Sequence, residues 1–427
     1  MKKIVLTFAA FAATATSFAG GLLTNTNQHA AFLRNPSRQA IIGIEGVYTN
    51  PAGVAFMPQG FHLGVTWQAA FQKRQMNVNH PWFNGNVNNP SASRTFEGKA
   101  TAPVIPSIQA AYVINDKWSV SANFAVAGGG GKCEFEQGLP MFEELVAGTL
   151  LSMGHMKYSL NQTLTGEQYF YGLQLGATYK FTENLSVFGG LRGIMANCAY
   201  TGSITDIKIN GVADTGIEYK LDCEQNAFGF QPIIGANLKL GKLNIGAKYE
   251  FRAKINLENE SKNTKNVDDL MDAYANGKKV RSDIPALFTI GAQYEVTDNI
   301  RAMAGFNYYF DKDAKGSATA VSDDTYEITL GAEWDINEKW TVGLGGQRTQ
   351  YGFADTDMTD TSFNISSYGL CVGGAYKFSE KLKLNFGYMH SFYDDHKFNK
   401  NLATGQTASY NYTRKNDVVG VSLDFKF

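Results

Sequence analysis

Along most of the chain, apolar and polar residues alternate with a period of two, which is the spacing of a strand with two unlike faces. In residues 173 to 181, Leu173, Leu175, Ala177, Tyr179 and Phe181 share one face, and Gln174, Gly176, Thr178 and Lys180 the other. The same split sets Ile290, Ala292, Tyr294 and Val296 against Gly291, Gln293 and Glu295, and Leu382, Leu384, Phe386 and Tyr388 against Lys383, Asn385, Gly387 and Met389. Six segments repeat one plan of strand, short polar turn and strand: QAAYVINDKWSVSANF, LGATYKFTENLSVFGGL, GANLKLGKLNIGAKYEF, GAQYEVTDNIRAMAGF, GAEWDINEKWTVGLGG and GGAYKFSEKLKLNFGY. Each predicts a hairpin. One further run before them, FHLGVTWQAAFQ, and one after, DVVGVSLDFKF, bring the strands to 14.

Polar stretches at roughly 77 to 103, 128 to 167, 203 to 224, 255 to 282, 311 to 324, 352 to 365 and 396 to 415 predict seven long loops at the end opposite the short turns. An even strand count with that asymmetry predicts an all-β fold, a 14-stranded antiparallel transmembrane β-barrel spanning residues 61 to 427. Lipid takes the apolar face and the lumen the polar one, because in hydrocarbon only a closed sheet satisfies every backbone group of a strand. Tyr112, Trp118, Tyr179, Phe181, Tyr294, Trp334, Trp340, Tyr376 and Phe378 sit on the apolar parity beside the short turns. They predict an aromatic girdle at one membrane interface.

Composition agrees, with 44 Gly, 13% aromatic and only 18% charged residues. The first residues, MKKIVLTFAAFAATATSFA, carry two lysines, a short apolar run and small residues at Ser17 and Ala19, so residues 1 to 19 read as a secretory signal with maturation before Gly20. Removing Lys2 and Lys3 takes the 38 basic side chains to 36 against 39 acidic ones. That near-balance excludes a nucleic-acid partner.

Residues 48 to 60, YTNPAGVAFMPQG, suit neither helix nor strand. Pro51 sets one backbone angle, Gly53 permits a tight bend and Asn50 bonds nearby backbone. Together with the signal, the 14 inferred strands and the terminal Phe427, the position of Asn50, Pro51, Ala52 and Gly53 just before the first strand resembles the FadL/TodX (OMPP1) family of outer-membrane transporters of hydrophobic compounds. The resemblance spans the mature chain. The segment GGLLTNTNQHAAFLRNPSRQA departs from the Gly-Arg-Ala pattern associated with that family, so substrate identity does not carry over.

The resemblance implies that residues 20 to 60 fold into the lumen as a hatch. Ile41, Ile42, Ile44, Val47, Tyr48, Val54 and Phe56 argue against the alternative, a disordered lead-in. It also implies that Gly128, Gly129, Gly130 and Gly131, which interrupt the third strand, form a lateral gate in the barrel wall; a flexible loop start is the competing account. In the following loop Leu139, Phe142, Leu145, Val146 and Leu150 recur at helical spacing, and NVDDLMDAYANG is a shorter helical pattern in the fourth loop. Either these helices pack on their own barrel or, as the resemblance suggests, they form an apolar surface groove for an arriving ligand.

Parity turns Arg192 inward, against outward Val187, Gly189 and Leu191, and Arg252 inward, against Tyr249 and Phe251. Each is a candidate for a ligand carboxylate or, alternatively, for an acidic wall residue such as Glu250. HSFYDDHK, with His390, Asp394, Asp395 and His396, offers ligands for a divalent ion, with a solvated loop as the alternative, and no metal or cofactor is expected. No G-x-S-x-G elbow occurs, and no enzyme is expected. Of Cys133, Cys198, Cys223 and Cys371, Cys198 and Cys223 flank one loop and predict a disulfide.

The expected function is passive uptake of hydrophobic small molecules, long-chain fatty acids foremost, with lateral exit through the wall; a nonspecific porin or a structural surface barrel is the alternative. An energy-coupled receptor of 22 strands does not fit in 427 residues. The expected partners are the hydrophobic ligand, outer-membrane lipids and lipopolysaccharide, and a barrel-assembly machinery reading the strand that ends in Phe427, for a barrel that works as a monomer.

Overall fold

The computed structural model describes residues 28–262, 264–266, 274–316, 322–354 and 358–427. The predicted signal at residues 1 to 19, the first part of the predicted hatch and most of NVDDLMDAYANG lie outside them. Fourteen long strands form the barrel. They are β1 (Gly60–Asn79), β2 (Ser93–Val113), β3 (Trp118–Phe135), β4 (Tyr158–Lys180), β5 (Leu185–Ile209), β6 (Tyr219–Leu240) and β7 (Leu243–Glu250). The second half adds β8 (Ala286–Glu295), β9 (Ile300–Phe310), β10 (Thr325–Asp335), β11 (Trp340–Gln350), β12 (Ser367–Ser379), β13 (Leu382–Tyr393) and β14 (Thr407–Lys426). Every neighbouring pair is antiparallel, and β1 closes on β14 from His62 opposite Lys426 to Asn79 opposite Ser409. No free edge is left in the wall.

The alternation read from the sequence becomes two faces. Leu173, Leu175, Leu330, Leu344 and Leu370 are exposed on the outside, whereas Gln174, Gln231, Asn237 and Thr329 are buried inside. The girdle at the short turns is present, with Trp118 packed on Tyr179 and Trp340 on Tyr376, both at 4.7 Å between ring centres. A second aromatic belt, not anticipated, lies toward the other end, where Phe251, Tyr249, Phe310 and Tyr308 meet edge to face in series and Tyr368 and Phe392 are exposed. Two belts are what a barrel crossing both interfaces of a bilayer requires.

The long loops are shorter than expected. β4 and β5 run for 23 and 25 residues, against roughly 9–11 that cross the hydrocarbon, so much of the polar sequence at 77 to 103, 128 to 167 and 203 to 224 is paired strand standing outside the membrane. There the strands carry polar residues on both faces, and the alternation that reveals a strand in lipid fades. Short strands at 256–261, 279–281 and 396–401 extend the wall further.

Inside the barrel lies the N-terminal segment. Residues 28–57 form two single-turn helices, Ala31–Arg34 and Gly46–Thr49, and a 3-10 turn, Pro51–Phe56. All but a few of their side chains are buried. A longer helix, α1 (Pro140–Ser152), caps the opposite end, its Leu139, Phe142, Leu145, Val146 and Leu150 packed with Met76, Phe96, Phe135 and Tyr412 in one apolar cluster.

Candidate functional site

The floor of the lumen is polar, and charge pairing tethers the N-terminal segment to it. Arg34 Nε lies 2.6 Å from Glu333 on β10, and Arg38 reaches the same carboxylate while holding Glu45 at 3.1 Å. His29 pairs with Asp424 on β14 at 2.8 Å. Gln174 and Lys248 donate to the Val47 and Tyr48 carbonyls, both at 2.9 Å. These charges are buried, so each needs its partner to offset desolvation.

Wall glycines make room for that segment. A Cβ on Gly246, Gly291, Gly305, Gly331, Gly343 or Gly387 would press into Leu33, Arg34, Asn35, Gln39 or Asn50. The inward-facing Gly of the repeated hairpins is therefore the imprint of a body packed inside the barrel. In the sequence that signal is a polar-face glycine in almost every hairpin; parity puts Gly176, Gly291 and Gly387 on the lumen side but does not say what packs against them.

NPAG is the segment's anchor on β4 to β7. Asn50 Nδ2 donates to the Ile41 carbonyl at 3.1 Å and to Asn237 Oδ1 at 2.7 Å. Pro51 opens the 3-10 turn, where no amide is needed, and its carbonyl accepts from Thr178 at 3.0 Å while the Ala52 carbonyl accepts from Ser186 at 2.7 Å. A Cβ on Gly53 would lie 2.5 Å from Asn50 Nδ2, so the close approach admits only glycine.

The two arginines predicted for a ligand carboxylate are already committed. Arg192 is inward and buried on β5, 2.6 Å from Glu250, with its Nη1 also donating to Gln231, its Nη2 to Gln174, and Tyr48 stacked against it. Arg252 is not an inward strand residue, because β7 ends at Glu250; it is partly exposed and turns to Asp283 at 3.6 Å and to the Asp313 carbonyl. Both are charge-paired within the protein.

Above the polar floor the lumen turns apolar at the level of the glycine run. Pairing of β2 with β3 stops between Thr101 and Ser107, and pairing of β3 with β4 slips twice between Val126 and Gly131. Two causes act together. Pro103 and Pro106 cannot donate to the ladder, a signal missed in the sequence, and Gly129 and Gly131 take φ of +108° and +70°, which side-chain-bearing residues resist. A slot of about 60 Å³ opens behind this interruption, bounded by Arg74, Gly130, Gly131, Phe135, Phe142, Leu164, Gln168, Tyr200 and Tyr274.

The slot's size limits what it holds. An apolar cavity of roughly 150 Å³ takes up benzene, so this one as it stands accommodates a slender chain segment but not a ring without opening. Phe142 of α1 is one wall of it. The other predicted groove residues, Leu139, Leu145, Val146 and Leu150, are buried against the barrel, so the apolar stripe of α1 faces inward and presents no open groove outside.

The predicted bridge is absent. Cys198 and Cys223 are both free, because Cys223 lies opposite Tyr200 and Cys198 opposite Gln225, two residues out of register. The acidic and histidine side chains of HSFYDDHK have local partners, His390 with Asp417 at 2.7 Å and Asp394 with Arg348 at 2.9 Å, and no metal-ligating cluster of three occurs among the described residues.

Sequence comparison matches residues 266–427 to the outer membrane protein beta-barrel domain family, and finds no match among curated proteins. Structural comparison places the whole chain beside solved barrels. A Pseudomonas aeruginosa FadL homologue superposes with a TM-score of 0.70 at 12% identity, over 95% of this chain and 100% of that one. The Pseudomonas putida toluene transporter TodX gives 0.59 at 14% identity over 91% and 95%, and the Ralstonia pickettii toluene transporter TbuX 0.55 at 15% over 92% and 98%. The chain thus has the fold of these channels, a closed 14-stranded barrel, and its residues 266–427 match an outer-membrane barrel domain.

Proposed function

We propose that this chain, an outer-membrane barrel with the fold of FadL and TodX, is a passive channel for hydrophobic small molecules, with long-chain fatty acids as the substrate class. Residues 28–57 act as a hatch that denies water and ions a continuous path. A ligand entering from the end capped by α1 reaches the apolar slot and leaves sideways, through the wall at Gly128 to Gly131, into the membrane.

The observation that carries this reading is a juxtaposition. The lumen is filled by a charge-locked segment, and the apolar slot sits where the wall's hydrogen-bond ladder is interrupted on both sides of β3. A porin needs the opposite, an open and hydrated lumen. Phe427, 5.7 Å from Phe61, ends the strand that closes the barrel, and we assign to it the contact with the assembly machinery.

The test is a pair of measurements on the purified full chain. In planar bilayers it should pass almost no steady ion current, while cells expressing it should take up labelled palmitate faster than cells lacking it. A large steady conductance without facilitated palmitate entry would replace the channel for hydrophobic molecules with a porin.

A further inference from the structure

On three neighbouring strands lysine takes the place of the second aromatic belt. On the outer face Tyr368 of β12 lies opposite Phe392 of β13, and Phe392 opposite Lys415 of β14. Lys415 in turn lies opposite Lys73 of β1, and Lys73 opposite Lys99 of β2. Two aromatic residues and three lysines thus make one row across five strands, so the lysines stand at the height where the barrel meets the membrane surface. Like charges placed directly opposite each other destabilise a ladder.

Nearby carboxylates leave two of the three charges unmet. Glu97 on β2 bonds Lys73 at 2.7 Å. Glu134, opposite Lys99, is held by Lys132 at 2.5 Å, and Asp417, two residues beyond Lys415, accepts from Tyr388 at 2.6 Å and pairs with His390 at 2.7 Å. Lys99 and Lys415 make no ion pair among the described residues. The chemistry changes on either side of the row. Toward the short turns the same face exposes Trp67, Phe71, Val419 and Val421 to lipid. Away from them it becomes a surface of amides and hydroxyls, with Asn77 between Thr95 and Asn411 and Asn79 between Ser93 and Ser409. These six line an open hollow of about 550 Å³, in which Asn411 Oδ1 is buried without a partner.

Going outward from the lipid, this face therefore runs from apolar to cationic to amide. We propose that the outer face of β14, β1 and β2 binds a phosphorylated glycolipid of the outer leaflet, with its acyl chains on Trp67 and Phe71, its phosphate on Lys73, Lys99 and Lys415, and its sugars in the hollow. An ammonium group takes a phosphate as a compact point charge, and a phosphate among three lysines turns their mutual repulsion into attraction. A side-chain amide presents a donor and an acceptor together, which neighbouring sugar hydroxyls can both use. A glycerophospholipid would satisfy the row but leave the hollow unused, and a second copy of the chain would set lysine against lysine across a two-fold axis. The long loops place this end of the barrel at the outer leaflet.

The experiment measures binding to the full chain in nonionic detergent, with lipid A carrying its inner-core sugars, the same glycolipid stripped of phosphate, and phosphatidylglycerol as probes. It compares wild type with Lys73→Gln/Lys415→Gln and with Lys339→Gln/Lys381→Gln, which removes two exposed lysines from short turns at the other end. Heat-modifiable migration checks folding. Each lysine beside an anionic membrane lipid is worth about fivefold, so the row variant should bind the phosphorylated glycolipid about 25-fold more weakly while the turn variant binds it as wild type does. Wild type should bind it at least about tenfold tighter than phosphatidylglycerol, the yield of one or two hydrogen bonds to sugar, and should lose most of its affinity when the phosphate is removed. Equal binding by wild type and the row variant overturns the site, as does an equal loss in the turn variant or full affinity for the dephosphorylated glycolipid. Phosphatidylglycerol binding as tightly as the glycolipid overturns the assignment to a sugar-bearing lipid. If the row variant fails to assemble, Lys99→Gln alone decides, a loss of about fivefold supporting the site and none overturning it.

Discussion

Replacing Glu333 with glutamine should loosen the N-terminal segment, the proposed hatch, while leaving the barrel standing. The carboxylate on β10 lies 2.6 Å from Arg34 Nε, also bonds Arg38, and has Arg301 at 3.5 Å. Glutamine keeps the shape and one acceptor but removes the charge. Arg34 is then left with the Gly374 carbonyl at 3.0 Å and Asn385 at 3.1 Å, both neutral, whereas Arg38 retains Glu45. Breaking a buried pair by neutralising one partner costs about 3–5 kcal/mol, and the surviving Arg38 to Glu45 contact argues for the lower end. About 3 kcal/mol shifts the docked-to-undocked equilibrium roughly 150-fold. Single-channel recording should show long-lived openings in Glu333→Gln that wild type lacks, and trypsin should begin to cut after Arg34 and Arg38. Adding Arg34→Gln, which removes the stranded charge, should quiet the channel again. If Glu333→Gln matches wild type in both conductance and protease resistance, the ion pairs do not hold the segment in place and the reasoning fails.

Gly130→Val tests the wall gap more cleanly than a change at Gly129, where φ is +108° and a Cβ would collide with the Gln168 carbonyl. At Gly130 the nearest atom to a Cβ is Arg74 Nη2 at 3.7 Å, so valine fits the backbone but fills the slot, and labelled palmitate uptake should fall severalfold in a barrel that still migrates as folded. Wild-type uptake by that variant would take the slot out of the pathway. The cap at the opposite end should respond to pH through Asp360, which accepts from the Met141 amide at 2.7 Å and from the Tyr412 hydroxyl. Burial, helped by the charge of Glu144, pushes its carboxyl up to about 6. A raised carboxyl is protonated more readily in the folded cap, so its contribution is complete below the ordinary carboxyl range near 4 and is lost as pH rises to about 6. Amide exchange in α1 should therefore quicken between pH 4 and 6.5 in wild type and change less in Asp360→Asn; identical pH profiles would remove Asp360 from the cap's energetics.

The membrane part of the fold was legible because lipid imposes the strictest rule a strand meets, one face apolar and every ladder group paired. Leu173 to Phe181 obeys it, and so do the six hairpins. Outside the lipid the rule lapses. Residues 93 to 102 pair along β1 and residues 158 to 167 along β5, yet with water on one side and a polar vestibule on the other they look like loop. The second aromatic belt was blurred for the same reason, since Tyr249, Phe251, Tyr308 and Phe310 fall where the sequence pattern changes from lipid to water.

Single-residue parity located Arg192 on the inner face and offered Glu250 as an alternative partner to a ligand carboxylate, and the structure selects Glu250. Whether an inward cation is free depends on a carboxylate 58 residues away in sequence, Glu250, and that pairing follows from barrel register, which alternation along one strand does not encode. The same limit hid Lys73 and Lys415, whose juxtaposition requires the first and last strands to meet. Pro103 and Pro106, by contrast, were in plain view. A proline in a lipid-exposed strand removes a donor with no water to replace it, and two of them opposite four glycines concentrate the wall's missing hydrogen bonds in one place. A barrel that must stay closed has reason to avoid that arrangement; one that releases its ligand sideways needs the wall to be weak at one height only, and here that height is also where the lumen changes from a charge-paired floor to an apolar slot.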